Sequence, residues 1–226
     1  MHITLLNNTR AISITIRIVV RLPFEVEFKP SLPRSRAAGH PAFTIYPVWQ
    51  ADRATRPITF ETDVGACEAE FDFSGLKIDR LDMDLGASSV DVDFRKANPV
   101  RMHKMSIDVG ASQLTIIGLG NANFDRLSFD GGVGDFTLDF SGELKRPGHV
   151  DIDVGLGSLT IRLPEDAGVE INSESSFLSS FSIDKREFDE VEDDVYQNDN
   201  FGQTDKELIF NVDIGLGSID IESCGR

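Results

Sequence analysis

Residues 150–163, VDIDVGLGSLTIRL, contain the pattern that decides the fold of this chain. The apolar residues occupy even positions up to Leu156 and odd positions from Leu159 onward. Because the side chains of a β-strand alternate between two faces, this change of parity would turn the core face outward unless the chain bends. Gly157 and Ser158 lie at the change, and glycine accepts a positive φ at little steric cost. The stretch therefore predicts two short strands that meet at a corner.

One sequence motif recurs along the chain: an aspartate, an apolar residue, a glycine and an alternating apolar run. The copies read DVGACEAEF, DLGASSVDV, DVGASQLTI, DGGVGDFTL, DVGLGSLTI and DIGLGSIDI, and they begin at Asp63, Asp84, Asp108, Asp130, Asp153 and Asp213. The first four intervals between their glycines are 21, 24, 22 and 23 residues, and such self-similarity indicates stacked repeats. The last interval, of 60 residues, contains a degenerate copy at residues 175–183, SSFLSSFSI, which places Phe177 at the glycine position.

These repeats predict an all-β fold, a parallel β-helix-like stack of about seven rungs of about 22 residues each. Stacking at the strand spacing of about 4.8 Å would join equivalent apolar residues into ladders, so that Leu159 lies in line with Val90. Burial of these side chains, at about 1.5–3 kcal/mol for each one fully buried, would supply most of the stability.

Residues 1–60 do not follow the repeat and contain six of the nine prolines. Apolar alternation predicts strands at residues 11–22, 24–28 and 42–49. A stack of parallel strands has an open end, and natural repeat proteins cover such ends with atypical segments. We therefore predict an N-terminal β cap over residues 1–60 and a β-helix-like repeat domain over residues 61–226.

Residues 184–202, DKREFDEVEDDVYQNDNFG, interrupt the repeat domain with eight acidic side chains. This charge run predicts a loop excursion from the stack. It is either a solvated segment or a loop that binds a partner or a cation.

Charge is divided unevenly along the chain. The net charge of −16 is the balance of +5 on residues 1–60 and −21 on residues 61–226. The acidic surface argues against nucleic acid as a partner, because phosphates require lysine and arginine, and it disfavours anionic membranes. The longest apolar stretch, residues 11–20, is much shorter than the about 20 residues of a membrane helix, so direct membrane insertion is not expected.

The sharpest site candidate is the aspartate two residues before each repeated glycine. In a parallel stack these six carboxylates would form a row at the strand spacing of about 5 Å, where like charges repel. They could bind cations as a calcium ladder, since carboxylate oxygens suit calcium. They could instead accept backbone N–H bonds from the following bend, as aspartate does in Asx-turns, or be simply solvated. Their recurrence in nearly every bend favours the structural role.

No motif predicts a catalytic, cofactor or metal site, and we expect a protein that is not an enzyme. Pairs of carboxylates that resemble those of glycoside hydrolases can be found anywhere in so acidic a chain, so they do not identify a site. Polysaccharide-cleaving β-helices also need basic side chains to stabilise a developing anion, and here the candidates are Arg95, Lys96, Arg101 and Lys104. The two cysteines, Cys67 and Cys224, form neither a disulfide framework nor a zinc motif. They are either a small buried residue and a free terminal thiol, or a single bridge.

Three stretches carry a family resemblance: residues 73–94 (FSGLKIDRLDMDLGASSVDVDF), residues 150–164 (VDIDVGLGSLTIRLP) and residues 195–222, from VYQNDNFG to NVDIGLGSIDIE. They resemble the toast-rack, adhesin-like domains, which include the C-terminal domains of LiaF-type cell-envelope stress proteins. The resemblance covers about residues 60–224. It implies a right-handed stack and an envelope or extracytoplasmic location in bacteria, and it supplies no catalytic residues.

Three functional hypotheses follow. The first is a non-enzymatic, envelope-associated binding or scaffold domain, adhesin-like or stress-sensing, whose partner is a protein or an envelope component. The alternative is a calcium-dependent carbohydrate-binding or polysaccharide-cleaving β-helix protein. The third is an assembly role, in which an uncapped C-terminal rung at residues 210–222 pairs end to end with another molecule.

Overall fold

The computed structural model describes residues 16–21, 42–45, 57–65, 67–175 and 179–224. Within these ranges the chain forms fourteen β-strands and one 3₁₀ turn, Leu119–Ala122. The strands are β1 (Ile16–Arg21), β2 (Ala42–Ile45), β3 (Ile58–Val64), β4 (Cys67–Asp72), β5 (Ile78–Leu85), β6 (Ser88–Asp93), β7 (Lys104–Ile117), β8 (Arg126–Asp139), β9 (Gly148–Leu163), β10 (Gly168–Ser175), β11 (Ser179–Ile183), β12 (Phe188–Glu192), β13 (Val195–Asn198) and β14 (Glu207–Ser223). In the described part of the chain, no helix has the length and apolar character needed to cross a membrane.

The predicted change of parity is present in β9. Val154 before the bend and Leu159 after it are both fully buried, whereas Leu156 between them is 43% exposed. Gly157 makes the turn with φ of +145°, and Gly217 of β14 does the same with φ of +146°. The chain bends there while the ladder of strand pairing continues through the bend.

The two halves of the repeats form two layers that enclose one hydrophobic core. The first halves run from β3 and β5 through the first parts of the long strands to β10, and the second halves run from β4 and β6 to β11. Phe129 and Phe136, from the two halves of β8, meet edge to face with ring centroids 5.3 Å apart. Val90 is in register with Leu114 of β7, and this ladder continues through Phe136 to Leu159. The predicted apolar ladder is therefore confirmed.

Parallel pairing joins the first-half layer in the order β3, β5, β7, β8, β9, β14, β10. The all-β fold and the parallel pairing of the repeats are confirmed. The right-handed sense and the number of rungs stay predictions.

Strand β14 is last in the sequence but lies between β9 and β10. The prediction of an uncapped C-terminal rung at residues 210–222 is therefore wrong. Val212 is in register with Ile152 on one side and with Ser173 on the other, so both edges of the strand are paired. Residues 164–167 connect β9 to β10, which lies on the other side of β14. The pairing of β14 with β9 extends to its end, where the Cys224 N–H donates to the Leu163 carbonyl at 2.7 Å.

The degenerate copy lies beyond β14. Its second half aligns as predicted, with Ser179 in register with Gly217. In its first half Glu174, rather than Ser175, is in register with Asp213, so this copy has one more residue between its halves than the others. The predicted match of Phe177 to the repeated glycine lies outside the described residues.

Residues 184–202 are not a loop excursion, because they contain the hairpin β12–β13, and β13 pairs antiparallel with β10. The hairpin turns at Asp193 and Asp194, and Asp194 has φ of +61°, a conformation that aspartate tolerates better than most residues. Phe188 is buried, and Tyr196 stacks on Phe181 with ring centroids 5.0 Å apart. These apolar anchors fix the hairpin on the stack, while the acidic side chains of β12 stay exposed.

Two strands from residues 1–60 lie beside the first repeat. Strand β1 pairs antiparallel with β3, and β2 pairs parallel with β4. They occupy parts of the predicted strands at residues 11–22 and 42–49, whereas the one at residues 24–28 lies outside the described residues. The division into a cap at residues 1–60 and a repeat domain at residues 61–226 stays a prediction.

Buried asparagines hold the segments that return from one repeat to the next. Asn98 is 1% exposed. Its carboxamide donates to the carbonyls of Ile78 at 2.7 Å and Ala122 at 3.1 Å. It also accepts from the N–H groups of Ile78 at 3.3 Å and Val100 at 3.1 Å. One side chain thus satisfies backbone groups that would otherwise be buried without partners.

We expect Gly157→Ala to lower the free energy of unfolding by about 3 kcal/mol or more, because φ is positive there and the added Cβ would overlap the carbonyl of Gly134. In a domain of this size that is about 6–12 °C in the melting temperature. Gly65→Ala is the matched control, since nothing lies within 4 Å of its Cβ. Thermal melts of both variants measure the difference, and equal melting temperatures would contradict the stacking of the bends.

We expect the backbone amides of β14 to be as protected from hydrogen exchange as those of β8 and β9, because β14 is paired on both edges inside the stack. A C-terminal strand at an open end would exchange far faster. Exchange measured by mass spectrometry, with the edge strand β12 as the internal reference, tests this. Exchange of β14 at the rate of β12 would contradict the strand order.

Candidate functional site

The repeated aspartates form a row across the outer face of the first-half layer. Each is in register with the next, in the order Asp63, Asp84, Asp108, Asp130, Asp153 and Asp213, and Glu174 of β10 continues the series. The six aspartates are exposed and lie one strand spacing, about 4.8 Å, apart along the sheet. We call the six aspartates the acidic row, and their predicted alignment is confirmed.

The hydrogen bonds between described residues include none to the six aspartate carboxylates, so the Asx-turn interpretation is wrong for them. In the copy that begins at Asp84, the N–H that an Asx-turn would need is used otherwise, since the Gly86 N–H donates to the Val64 carbonyl at 2.7 Å. Aspartates at or just after the C-terminal ends of strands make that contact instead, where the chain leaves the ladder. Asp72, Asp93, Asp139 and Asp184 each accept from the N–H two residues later, at 2.7–2.9 Å.

Two members of the acidic row have raised pKa values. Asp108 is exposed, but partial desolvation by its neighbours is the largest cause of its raised pKa, and nearby carboxylates, first Asp130, add to it, while Lys104 opposes it. For Asp153 the pKa is raised by burial and then by Asp130 and Asp213. The negative charges of the row are therefore only partly compensated by the protein.

A shallow groove of about 330 Å³ crosses β8, β9, β14 and β10 on the same face. Two neighbouring rows supply its polar lining. They are the acidic row at Asp130, Asp153 and Asp213, and a second row at Ser128, Asp151, Asn211 and Asn172. The groove is thus an acidic surface bordered by hydroxyl and carboxamide groups.

The second row is internally hydrogen-bonded, unlike the acidic row. The Asn211 carboxamide donates to Asp151 Oδ1 at 2.7 Å, and Asn172 donates to Asn211 Oδ1 at 3.3 Å. Arg126 Nη1 donates to Asp151 Oδ2 at 3.1 Å. The charge of Asp151 is thus neutralised within the protein, whereas Asp130 and Asp153 remain available to a ligand.

The groove can attract positively charged groups and accept hydrogen bonds from ligand N–H and O–H groups. Among the described residues, no group of three or more His, Cys, Asp or Glu side chains is placed to hold a metal ion. Calcium requires six to eight oxygen ligands. A calcium ion bound by exposed carboxylates on neighbouring strands would therefore need further oxygen ligands from water or from a bound molecule.

The basic residues considered for anion stabilisation are spread over one return segment and the start of β7. Arg95 pairs with Asp93 at 2.6 Å, and Arg101 pairs with Asp125 at 2.7 Å. The Lys96 carbonyl accepts from the Gly75 N–H at 3.0 Å. Lys104 is the first residue of β7. Lys104 alone of these four affects the pKa of Asp108. The structure therefore does not bring the four together beside the acidic row.

Cys224 is a free thiol, so the two cysteines are not bridged to each other. Its sulfur lies 3.6 Å from Asp139 Oδ1. Burial and then the Asp139 carboxylate raise the pKa of the thiol to about 12, which keeps it protonated and unreactive at neutral pH. The side chain of Cys67 lies outside the described residues.

We expect Asp108→Asn to raise the melting temperature at pH 7, because it removes one charge from a row of like charges. The folded-state pKa of Asp108 lies above its ordinary value of 3.8, so the charged form disfavours folding. That penalty is absent below pH 3.8 and develops as the pH rises through the folded-state pKa. Melts from pH 3 to 7 should therefore show the variant and the parent converging at low pH.

The control for this experiment is Asp91→Asn, an exposed acid of the second-half layer outside the row. A lower melting temperature for Asp108→Asn at pH 7 would show that the carboxylate supports the bend, contrary to the hydrogen bonding described above.

One solved structure is similar to that of this chain over most of the length of both proteins. It is the crystal structure of a protein from Clostridium sporogenes that is proposed to act in cell adhesion. It is 15% identical in sequence, with a TM-score of 0.43, over 93% of this chain and 82% of that one. No curated protein matches this chain in sequence.

A sequence family matches the chain twice. The family described as the N-terminal domain of toast_rack (DUF2154) matches residues 53–117 and residues 98–162. The two matches begin 45 residues apart, which is two repeats of the sequence, so the family pattern and the stacked repeats are the same feature. The repeats within residues 53–162 thus have the sequence pattern of the toast-rack family.

Proposed function

We propose that this chain is a non-enzymatic binding or scaffold domain of the bacterial cell envelope, and that its groove binds a positively charged group of an envelope component. The observation that carries the proposal is the acidic row. Its carboxylates are exposed, aligned by strand pairing and only partly compensated by the protein's own cations. The match of residues 53–162 to the toast-rack family supports the envelope association.

The buried polar side chains of the described region and the exposure of its carboxylates favour a binding function over a catalytic one. Its buried polar residues are Thr62, Asn98, Asn123 and Ser173. The carboxamides of Asn98 and Asn123 are used by backbone carbonyls and N–H groups. Catalytic acids and bases are commonly found in clefts that desolvate them strongly. The carboxylates with raised pKa values are instead exposed on a sheet face.

The ligand chemistry follows from the lining of the groove. Asp130 and Asp153 offer charge, and the hydroxyl and carboxamide groups of the second row offer hydrogen bonds at fixed spacing. A protonated amine that carries neighbouring hydroxyl groups would satisfy both rows. Because the carboxylates are exposed, the attraction is screened by salt within about 8 Å at physiological ionic strength.

The alternative is a calcium-dependent carbohydrate-binding or polysaccharide-cleaving protein. The same row favours it, since carboxylate and carboxamide oxygens are suitable calcium ligands and the rigid sheet would hold them in place. The two functions differ in whether the metal is required.

The test is co-sedimentation of the protein with purified bacterial envelope fragments at low and high salt. The charge-reversal variant Asp130→Lys/Asp153→Lys should bind about tenfold more weakly than the parent, which corresponds to about 1.4 kcal/mol. The control Glu70→Lys/Asp91→Lys makes the same change of net charge on exposed residues of the second-half layer and should bind like the parent. Equal binding by the parent and the groove variant would overturn the assignment of the groove.

Thermal melts of the metal-stripped protein with and without millimolar calcium separate the two functions. The proposed function predicts no shift in the melting temperature. A calcium-binding protein would show a rise of several degrees, since a ligand of the native state stabilises it by mass action, and Asp130→Lys/Asp153→Lys would abolish that rise. Release of new reducing ends from envelope glycans would contradict the non-enzymatic part of the proposal.

A further inference from the structure

Three large apolar side chains are exposed side by side on the outside of the bends. Val133 is 50% exposed, Leu156 43% and Leu216 42%. Strand pairing places Val133 in register with Leu156, and Leu156 in register with Leu216. The three therefore lie on the neighbouring strands β8, β9 and β14, about 4.8 Å apart. Each is preceded and followed by a glycine, so no polar side chain interrupts the apolar strip. We call these three residues the corner ridge.

The bend does not require a large apolar side chain at this position. Alanine occupies it in earlier copies of the repeat, at Ala87 and Ala111, and Ala111 is in register with Val133. Leu156 and Leu216 thus add apolar surface that the fold can do without. A single exposed leucine is ordinary on a protein surface, but a contiguous group of exposed apolar side chains is typical of an interaction site.

The strands that carry the corner ridge are strongly acidic. β8, β9 and β14 contain three, two and four Asp or Glu residues, against two arginines and no lysine. Both arginines are used within the protein. Arg126 pairs with Asp151 at 3.1 Å. Arg162 pairs with Glu222 at 3.3 Å. The acidic row lies three residues before the ridge on each strand, and the exposed Asp135 lies two residues after it on β8. Acids therefore border the apolar strip on both sides.

The charge around the ridge decides which partner fits it. Two copies docked ridge to ridge would bring like charges together, and an anionic membrane surface would be repelled in the same way. A partner whose apolar side chains are flanked by lysine or arginine would cover the ridge and meet the bordering acids at the same time. Opposite charge across an interface steers association and sets its specificity, while buried apolar area supplies affinity.

We propose that the corner ridge is a docking surface for a segment of a partner protein in which apolar residues are flanked by basic ones. The ridge lies outside the lining of the groove, so the inference goes beyond the proposed function, although both use the acidic row. The test therefore uses variants that change the ridge and leave every aspartate of the row intact.

Fluorescence anisotropy of labelled peptides, titrated with the full chain, is the measurement. The probe is a synthetic peptide of about twelve residues in which pairs of leucines alternate with pairs of lysines, so that a helix carries its leucines on one face. A second peptide has serine in place of leucine, and a third has glutamate in place of lysine. The leucine–lysine peptide should bind the parent, the serine–lysine peptide should bind about tenfold more weakly, and the leucine–glutamate peptide should not bind.

The ridge variant Leu156→Ala/Leu216→Ala should bind the leucine–lysine peptide about tenfold more weakly than the parent, because apolar contact is lost while every acid remains. The variant should fold, since alanine stands at this position in other copies, and circular dichroism and thermal melts check this. The control Ile117→Ala/Val191→Ala removes two similarly exposed side chains, at the end of β7 and on the hairpin, and should bind like the parent. The serine–lysine peptide should bind all three proteins alike.

Equal binding of the leucine–lysine peptide by the parent and the folded ridge variant would overturn the proposal, and so would a parent that binds none of the peptides. Dimers of the parent that the ridge variant does not form, seen by sedimentation velocity, would overturn it in favour of a second copy. Co-sedimentation with envelope fragments separates this proposal from the proposed function. A parent that binds the fragments but no peptide removes the ridge and leaves the groove, and the reverse result removes the groove and leaves the ridge.

Discussion

The close stacking of backbone on backbone at the bends is the constraint on which the rest of this structure depends. A Cβ on Gly155 would lie 2.8 Å from the carbonyl oxygen of Gly132, and one on Gly217 would overlap the carbonyl of Gly157. A slip of one residue would put a side chain where none fits, and it would also turn every core residue of that strand toward solvent. The register is thus fixed at the bend, and the apolar ladders inside and the acidic row outside follow from it.

The same constraint accounts for the position of β14. The bends of β8, β9 and β14 have the form Gly-x-Gly, whereas the three earlier copies have Gly-Ala and the degenerate copy has an additional residue. Placing β14 beside β9 keeps the three Gly-x-Gly bends together, with Gly157 and Gly217 in the same backbone conformation. Chain order would instead place the degenerate copy between them and break the close contact. The last repeat in the sequence therefore lies inside the stack, and the irregular one lies toward its end.

Features that depend on spacing within one repeat could be predicted from the sequence, and features that depend on the relation between repeats could not. The change of parity around Gly157 and the alignment of the aspartates belong to the first kind. The place of β14 belongs to the second, although a comparison of bend types would have indicated it. Spacing alone predicts Asx-turns for the wrong set of aspartates. An Asx-turn needs a free N–H group, and such groups occur after Asp72 and Asp139, where the chain leaves the strand pairing. The hairpin β12–β13 is not predicted by the sequence pattern, because the many charges of residues 184–202 outweigh its two apolar contacts, at Phe188 and Tyr196.

Stability does not explain the acidic row. The raised pKa values of Asp108 and Asp153 mean that the folded chain holds these charges less favourably than the unfolded chain does. Serine occupies equivalent exterior positions in the neighbouring row, at Ser106 and Ser128, so the sheet accepts an uncharged side chain on this face. Solubility requires net charge, but it does not require that charge to be concentrated at one register along a groove. The repulsion within the row is relieved when a cation or a positively charged group lies between its carboxylates. Under the proposed function, a positively charged group bound in the groove would offset the repulsion that raises the pKa values of Asp108 and Asp153.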